Sequence, residues 1–496
     1  EYPRAATTAV AAYVGPVIDR YVANLDQALG GEGIKAPLLL MKSDGGIATP
    51  DAARINPAAM LLSGPAGGVI AGARVAAATG VENLVTFDMG GTSADFSLIV
   101  QGEPRMVTSR EIDGQPLRLP SLDIETISAG GGSIASVDLG GAVKVGPESA
   151  GADPGPACYG AGGTKPTVTD AAVVLGILVP DQFLGGDMPL DAALAHKAIQ
   201  GGVAEPLGLS VEEAALGVIR VACASMNQAI RKLSVERGFD VREFTLMAFG
   251  GAGPIYAPFM ARDLEMAQVL VPPCPGVYAA QGLLLSDIRH TAQAAWQRPL
   301  SKVDEQALTE KLGAMKQGLD AALTKDGIAE DDRYFRYGAD MRCVGQFHEL
   351  QVSLDEPDGN GWWNSDAQAG RFHGEHQTVY GHADDRVPVE FVNLRVEAFG
   401  RTAKADLALM DGQAEGAPDE RGSRQVYLDE KTGFVSASVY DRADLRPGHS
   451  LVGPAVIVQR DSTTVLLSGQ LASVNEYGMI CIQTSINDGG FSHDQD

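Results

Sequence analysis

From Val10 onward the apolar residues Val10, Tyr13, Val14, Val17, Ile18, Tyr21, Val22, Leu25 and Leu29 recur at intervals of three and four, the repeat of one helical face. Pro16 inside that pattern predicts a kink, because proline lacks the amide that an interior helical position uses. Pro37 to Met41 is a short continuous apolar run, which predicts a strand buried on both faces in a parallel sheet, ended by a turn at Lys42-Ser-Asp-Gly-Gly46. Ser63-Gly-Pro65 offers an N-cap and an early proline for a helix of small residues running toward Gly80. Leu84-Val-Thr-Phe-Asp88 and Asp95-Phe-Ser-Leu-Ile-Val100 read as two strands joined by a glycine-rich tip, a hairpin.

Further along, Ser210-Val-Glu-Glu213 has the form of a capping box. It leads a helix with Ala215, Val218, Ile219, Ala222, Met226, Ile230 and Leu233 on one face, closed by Gly238. A strand at Thr245 to Phe249 runs straight into Gly250-Gly-Ala-Gly-Pro254. After about Thr291 the pattern changes: a helix near Glu305 to Lys325 precedes alternating strand-like pieces such as Val389 to Val396 and Ala455 to Val458, which predict a separate β-rich part. Asp355 to Asp366 reads as an exposed loop and Asp488 to Asp496 as a frayed end.

A chain of 496 residues exceeds the roughly 250–300 residues of one hydrophobic core, so two or three domains are expected. The formal net charge of −25 disfavours nucleic acid and anionic membrane surfaces as partners. An anion such as ATP would have to be held by local backbone amides, helix N-termini and a metal ion. Five scattered cysteines without a C-x-x-C pair suggest neither a disulfide framework nor a zinc site, and a reducing cytoplasm is expected. The uncharged run from Met266 to Ser286 contains Pro272, Pro273, Pro275 and Gly276, which a membrane-spanning helix would not tolerate. The chain opens at Glu1 without an initiator methionine or a visible signal peptide, so a piece of a longer protein is expected.

Charge turns attention to the 60 glycines, well above the roughly 7% of average usage. Three clusters follow strands: Asp88-Met-Gly-Gly-Thr92 with Asp95, Ser128-Ala-Gly-Gly-Gly-Ser133, and Phe249-Gly-Gly-Ala-Gly-Pro254. A strand that ends in aspartate and turns through glycines brings backbone amides close to phosphate oxygens, while the carboxylate can hold Mg²⁺. The plainer reading is tight turns in a glycine-rich α/β protein. No G-x-x-x-x-G-K-[ST] loop occurs. Gly130 to Ala135 matches a dinucleotide fingerprint, but Gly140 and Gly141 interrupt the helix that should follow.

Phe87-Asp-Met-Gly-Gly-Thr-Ser-Ala-Asp95 resembles a phosphate hairpin of the actin, sugar-kinase and heat-shock-ATPase superfamily, and Phe249-Gly-Gly-Ala-Gly-Pro254 is similar to its adenosine-side motif. Nearly the whole chain resembles the hydantoinase A/oxoprolinase family. The resemblance is carried in order by Ser43-Asp-Gly-Gly46, Ser63-Gly-Pro-Ala-Gly-Gly68, Asp123 to Ala135, Gly146 to Tyr159, Pro166-Thr-Val-Thr-Asp170 and Val271-Pro-Pro-Cys-Pro-Gly276. Phe372-His-Gly-Glu-His376, Val392-Asn-Leu-Arg395 and Gly453-Pro-Ala-Val-Ile457 extend it toward the C-terminus.

The resemblance implies an α/β fold: an actin-like (ribonuclease H-like) nucleotide-binding part at 1–295, a β-rich C-terminal domain at 296–487 and a tail at 488–496. It implies ATP and Mg²⁺ as cofactors, with Asp88 and Asp95 catalytic and Asp88 on the metal. Gly90, Gly91, Thr92, Gly130, Gly131, Gly132, Gly250, Gly251, Ala252 and Gly253 would hold the nucleotide. The implied reaction is phosphorylation of a carbonyl oxygen of a cyclic amide before hydrolysis. The alternatives are a ketone (acetone- or acetophenone-type) carboxylase subunit or a non-catalytic scaffold. A hydantoinase B-like subunit, an oligomer, and an N-terminal domain absent here and possibly on another chain are further implications. Two positions depart from the family pattern: Glu125 and Tyr256 stand where histidine is usual.

His373 and His376, with His382 near, could share a face toward a metal, but no acidic or cysteine pattern completes such a site. Cys158 could be a nucleophile, although nothing close in sequence would lower its pKa, and a buried thiol is the plainer reading. Asp170 could serve a metal or cap the following helix.

Overall fold

A computed structural model describes residues 2–112, 114–357, 361–404 and 407–484. The expected tail at 488–496 and residues 358–360 of the expected loop lie outside them. The structure opens with a helix over Tyr2–Gly31 that contains Pro16 and buries only Ala6 and Val22. Tyr13, Val17 and Tyr21, on the periodic apolar face, are exposed. The expected buried strand at Pro37 to Met41 is only Leu40–Met41, paired antiparallel with Ile47–Ala48. The turn between them explains the difference: the Lys42 amide donates to Gly46 O at 2.8 Å, which folds the run back into an edge hairpin.

That hairpin begins a six-stranded sheet, followed in order by Ile288–Pro299, Val389–Gly400, Arg333–Cys343 and Leu350–Leu354. The Glu305–Lys325 helix packs Leu308, Leu312, Leu319 and Leu323 into its core with Phe391 and Val396.

A nine-stranded sheet carries the glycine turns. Its order is Ile124–Ile127, Ala94–Val100, Leu84–Met89, Thr245–Phe249, Gln268–Val271, Ile480–Gln483, Leu471–Val474 and Ser450–Val452, with Glu103–Pro104 beside the Ala94 strand. The Leu84, Thr245 and Gln268 strands are parallel to one another. Alternation along them serves two cores. Val85, Phe87, Leu246 and Ala248 join the one containing the Val211–Ser234 helix, while Leu84, Met247 and Phe249 face the Gly64–Thr79 helix. Strands buried on both faces and covered by helices are the expected state of parallel strands.

The Val211–Ser234 helix begins with the expected Ser210–Glu213 capping box. Ser63 makes no such cap, because its own backbone is already helical (φ −78°, ψ −20°). The glycines after it serve packing: a Cβ on Gly67 would run into Ala279 O, and one on Gly282 into Gly67 O, so the Gly64–Thr79 and Tyr278–Leu285 helices touch backbone to backbone.

A four-stranded sheet of Glu420–Asp429, Gly433–Asp441, Ala455–Val458 and Thr463–Leu466 shares one core with the nine-stranded sheet. Both large sheets draw strands from either side of residue 295, so the expected sequence boundary does not separate sheets.

Candidate functional site

The Leu84–Met89 and Ala94–Val100 strands pair so that Asp88 lies directly across from Asp95. Burial, and secondarily the Asp95 charge, raise the Asp88 carboxyl to a pKa of about 6. Burial also raises Asp95, opposed by a hydrogen bond from Thr126 Oγ1 at 2.5 Å. Two half-buried like charges facing each other across a strand pair are in a state that a cation would relieve.

The second glycine turn props up the tip of this hairpin. The Gly131 amide donates to Gly90 O at 3.0 Å and the Gly132 amide to Gly91 O at 2.7 Å. Gly130 donates to Ser133 Oγ at 2.8 Å. A Cβ on Gly130 would run into Gly91 and the Thr92 amide, so glycine is needed there for close backbone approach. Thr169 holds this turn in place, its Oγ1 donating to Gly131 O at 2.8 Å.

The third turn reaches the hairpin from the neighbouring parallel strand. Ala252 donates to Met89 O at 2.9 Å, and Gly250 to Pro275 O at 2.8 Å. Gly250 has φ +77°, and a Cβ on it would strike Asp88 Oδ1 and Met89 O. Gly253 starts the Gly253–Asp263 helix.

All the sequence-identified positions therefore gather at one end of the sheet, but in different capacities. The amides of Gly130, Gly131, Gly132, Gly250 and Ala252 are spent within the protein, as is that of Gly90, which donates to Ser93 O at 3.2 Å. Those of Gly91, Thr92, Gly251 and Gly253 meet no acceptor among the described residues.

Gly90, Gly91, Gly131 and Gly251 are among the residues lining a cleft with about 780 Å³ of atom-free space, part of it continuous with solvent. Pockets of several hundred cubic ångströms are of a size to take a small-molecule ligand. Sequence reasoning missed the rest of the lining: the segment from Leu178 to Leu184 and the turn Gln459–Arg460–Asp461–Ser462. The signal for the turn was the polar stretch Gln459 to Thr464 between the apolar runs Ala455 to Val458 and Val465 to Leu467, directly after a family-like motif.

Asp170 is fully buried and caps its helix. It accepts from Cys158 N at 2.7 Å, Ala157 N at 3.2 Å, Thr167 N at 2.9 Å and Thr167 Oγ1 at 2.7 Å. Burial, with Asp170 beside it, pushes the Cys158 thiol up, the opposite of what a nucleophile needs. Glu125 pairs with Lys232 at 2.6 Å, and Tyr256 is buried in the cleft wall. His376 is buried with Nδ1 2.7 Å from His382 O. No group of three His, Cys, Asp or Glu side chains among the described residues is placed to hold a metal ion. No helix among them is long and apolar enough to cross a membrane.

Fold and site together describe a mixed α/β protein with paired carboxylates and glycine turns at one end of a sheet. Residues 4–292 match the hydantoinase/oxoprolinase family and residues 301–484 its C-terminal domain. The chain belongs to the hydantoinase/oxoprolinase family. It is 34% identical to caprolactamase subunit alpha of Pseudomonas jessenii, over 96% of this chain and 69% of that one. The crystal structure of the ATP-dependent caprolactamase from that organism superposes with a TM-score of 0.86 at 33% identity, covering 98% of this chain and 70% of that one. The chain is 32% identical to 5-oxoprolinase 1 of Arabidopsis thaliana, over 97% of its own length but 38% of the relative. A nucleotide-free acetone carboxylase structure superposes with a TM-score of 0.76 at 26% identity, covering 93% of this chain and 66% of that one.

Proposed function

We propose that this chain is the nucleotide-binding part of an ATP-dependent hydrolase of hydantoinase/oxoprolinase type, acting on a cyclic amide. The observation that carries the reading is the convergence of three glycine turns around Asp88, with Gly90, Gly91, Gly131 and Gly251 lining one cleft. The unspent amides of Gly91, Thr92, Gly251 and Gly253 hold phosphate oxygens, helped by the positive end of the Gly253–Asp263 helix. Asp88, with Asp95 across from it, suits Mg²⁺, which binds through one or two carboxylates plus substrate phosphates. When bound, Mg²⁺ would neutralise phosphate charge.

The terminal phosphoryl group passes to the carbonyl oxygen of the ring amide, ADP leaves, and the amide becomes an O-phosphorylated imidate. Water then adds to the imidate carbon, the C–N bond breaks as the ring nitrogen takes a proton and leaves as the amine, and the acyl phosphate so formed is hydrolysed by a second water to a carboxylate and phosphate. That second half is assigned to a hydantoinase B-like partner subunit, in a cytoplasmic oligomer. An actin-like core is supported by the antiparallel hairpin that leads into parallel strands with glycine turns at their carboxyl ends. The domain division proposed is the sequence division at 295/296, which falls inside the Ile288–Pro299 strand, so the two parts share the six-stranded sheet.

A second reading, a ketone carboxylase subunit, is favoured by the likeness to acetone carboxylase. Substrate-dependent ATP consumption by the reconstituted complex, across cyclic amides and ketones with and without bicarbonate, separates the two. Amide-stimulated turnover independent of bicarbonate is expected. Ketone turnover that strictly requires bicarbonate, with no amide accepted, would overturn the hydrolase.

A further inference from the structure

Among the described residues the buried arginines are Arg289, Arg395 and Arg442. Arg289 pairs with Glu397 and Asp44, and Arg395 with Asp340 at 2.5 Å. Arg442, 8% exposed, has no acidic partner among the described residues: its Nη2 donates to Gly478 O, and its Nη1 meets no acceptor. A charge taken out of water is costly unless an opposite charge and hydrogen bonds compensate it, and a single carbonyl does not. Burial accordingly pulls the pKa of Arg442 down to about 10. At Arg289 burial acts in the same direction, but Asp44 and Glu397 outweigh it and hold that group above its ordinary value.

Arg442 lies in the wall of a second cavity, with about 1220 Å³ of atom-free space, part of it continuous with solvent. This cavity shares Gln182, Val458, Gln459 and Arg460 with the cleft of the glycine turns, but no residue of those turns lines it. The other charged residues in its wall are Asp441 and Arg460. Asp441 accepts from the Ala443 amide at 2.9 Å, capping the short turn that carries Arg442, and Arg460 pairs with Asp187 at 2.9 Å between two exposed side chains. Arg442 is thus the buried charge of this wall, and it stands without a counter-charge. The chain as a whole carries −25, a field that repels anions, so an anion held here would be held by the local charge.

We propose that this second cavity is a site for a small oxyanion, in which a phosphate or carboxylate group supplies the counter-charge that Arg442 lacks. A guanidinium is planar and charged at every physiological pH, and it recognises the paired oxygens of such groups by charge-assisted hydrogen bonds. An anion in the cavity offsets the cost of burying Arg442, so part of the burial penalty returns as affinity. The site is independent of the nucleotide reading, since it uses neither Asp88 nor the amides of the glycine turns.

The test is calorimetric titration of the full chain with sodium phosphate and, separately, sodium acetate, each against sodium chloride of the same ionic strength, without Mg²⁺ or nucleotide. Saturable binding of at least one of the two oxyanions is expected; tighter phosphate marks a phosphoryl ligand and tighter acetate a carboxylate. Arg442→Gln removes the charge and is expected to weaken that binding about tenfold or more. Ala443→Glu acts from an exposed position in the same wall, where an added carboxylate repels the anion without touching the core. It is expected to weaken binding about tenfold with an unchanged thermal melt, and it decides the matter if Arg442→Gln does not fold. Heats no larger than those of chloride, or wild-type affinity in folded Arg442→Gln or in Ala443→Glu, overturn the site.

Discussion

At the scale of single residues, the neighbours of Asp88 divide into those whose amides are unspent and those that hold the turns in place. Gly250 belongs to the second set: its amide is spent on Pro275, and its missing side chain leaves room for the Asp88 carboxylate. Alanine at this position would be strained at φ +77° and would collide with Asp88 and Met89. A loss of about 1–3 kcal/mol is expected, read as a lower urea midpoint, together with weaker Mg-nucleotide binding. A Gly250→Ala variant as stable as the wild type would mean that the turn relaxes without cost. The sequence marked Gly130, Gly131 and Gly132 as a glycine cluster after a strand but not the fate of their amides. That fate depends on which carbonyls the hairpin tip presents, and Gly90 and Gly91 are far from these glycines along the chain.

At the scale of elements, two polar clusters fix the segments around the sheets. Asp170 satisfies three backbone amides and one hydroxyl from the Ala157–Thr167 region while starting the Val168–Val174 helix. Asp170→Ala leaves these buried donors unpaired and is expected to cost about 3 kcal/mol or more, measured by chemical denaturation; a loss below about 1 kcal/mol would show that other acceptors replace it.

The second cluster closes the Leu40–Ala48 hairpin onto the six-stranded sheet. Asp44 accepts from Lys42 Nζ and the Gly46 amide at 3.0 Å each, and Arg289 donates to its carbonyl while also pairing with Glu397. Burial pushes the Asp44 carboxyl up, but Lys42 and Arg289 outweigh it and hold it below its ordinary 3.8. A depressed carboxylate contributes stability above its unfolded pKa and loses it as pH falls through the folded one. The wild type is therefore expected to lose stability more steeply below about pH 4 than Asp44→Asn, followed by thermal melts across pH. Parallel profiles for the two proteins would remove Asp44 from the acid response.

At the scale of the whole molecule, the chain returns to its early sheets at its end. Without residues beyond 295, the Gln268–Val271 strand loses the Ile480–Gln483 strand, and the Ile288–Pro299 strand is cut short and loses Val389–Gly400. Each exposes a bare edge and the apolar surface behind it. A fragment of residues 1–295 is expected to show no cooperative melt by circular dichroism and to aggregate on size exclusion. A melt at the temperature of the full chain would establish that the nucleotide-binding part folds alone.

Several features were legible along the chain because their causes are local. The Ser210 cap depends on residues three apart, the Leu84–Val100 hairpin on alternation around a short tip, and the glycine clusters on runs of a few residues. The motifs also placed the family, since they preserve order and spacing. Other features needed the tertiary structure because their causes are distant. Pro37 to Met41 reads as a buried strand until the Lys42–Gly46 turn folds it back at a sheet edge. Ser63 reads as a cap until the backbone at that residue turns helical. The spacing along the first helix marks one apolar face, yet that face leaves Tyr13 and Tyr21 exposed. The cleft wall joins Phe183 to the Gln459–Ser462 turn through contacts between parts far apart in the chain, such as Gln459 to Pro273 and Ser462 to Gly251. Periodicity reports which face of an element is apolar, whereas the partner of that face is chosen by the packing of the whole chain.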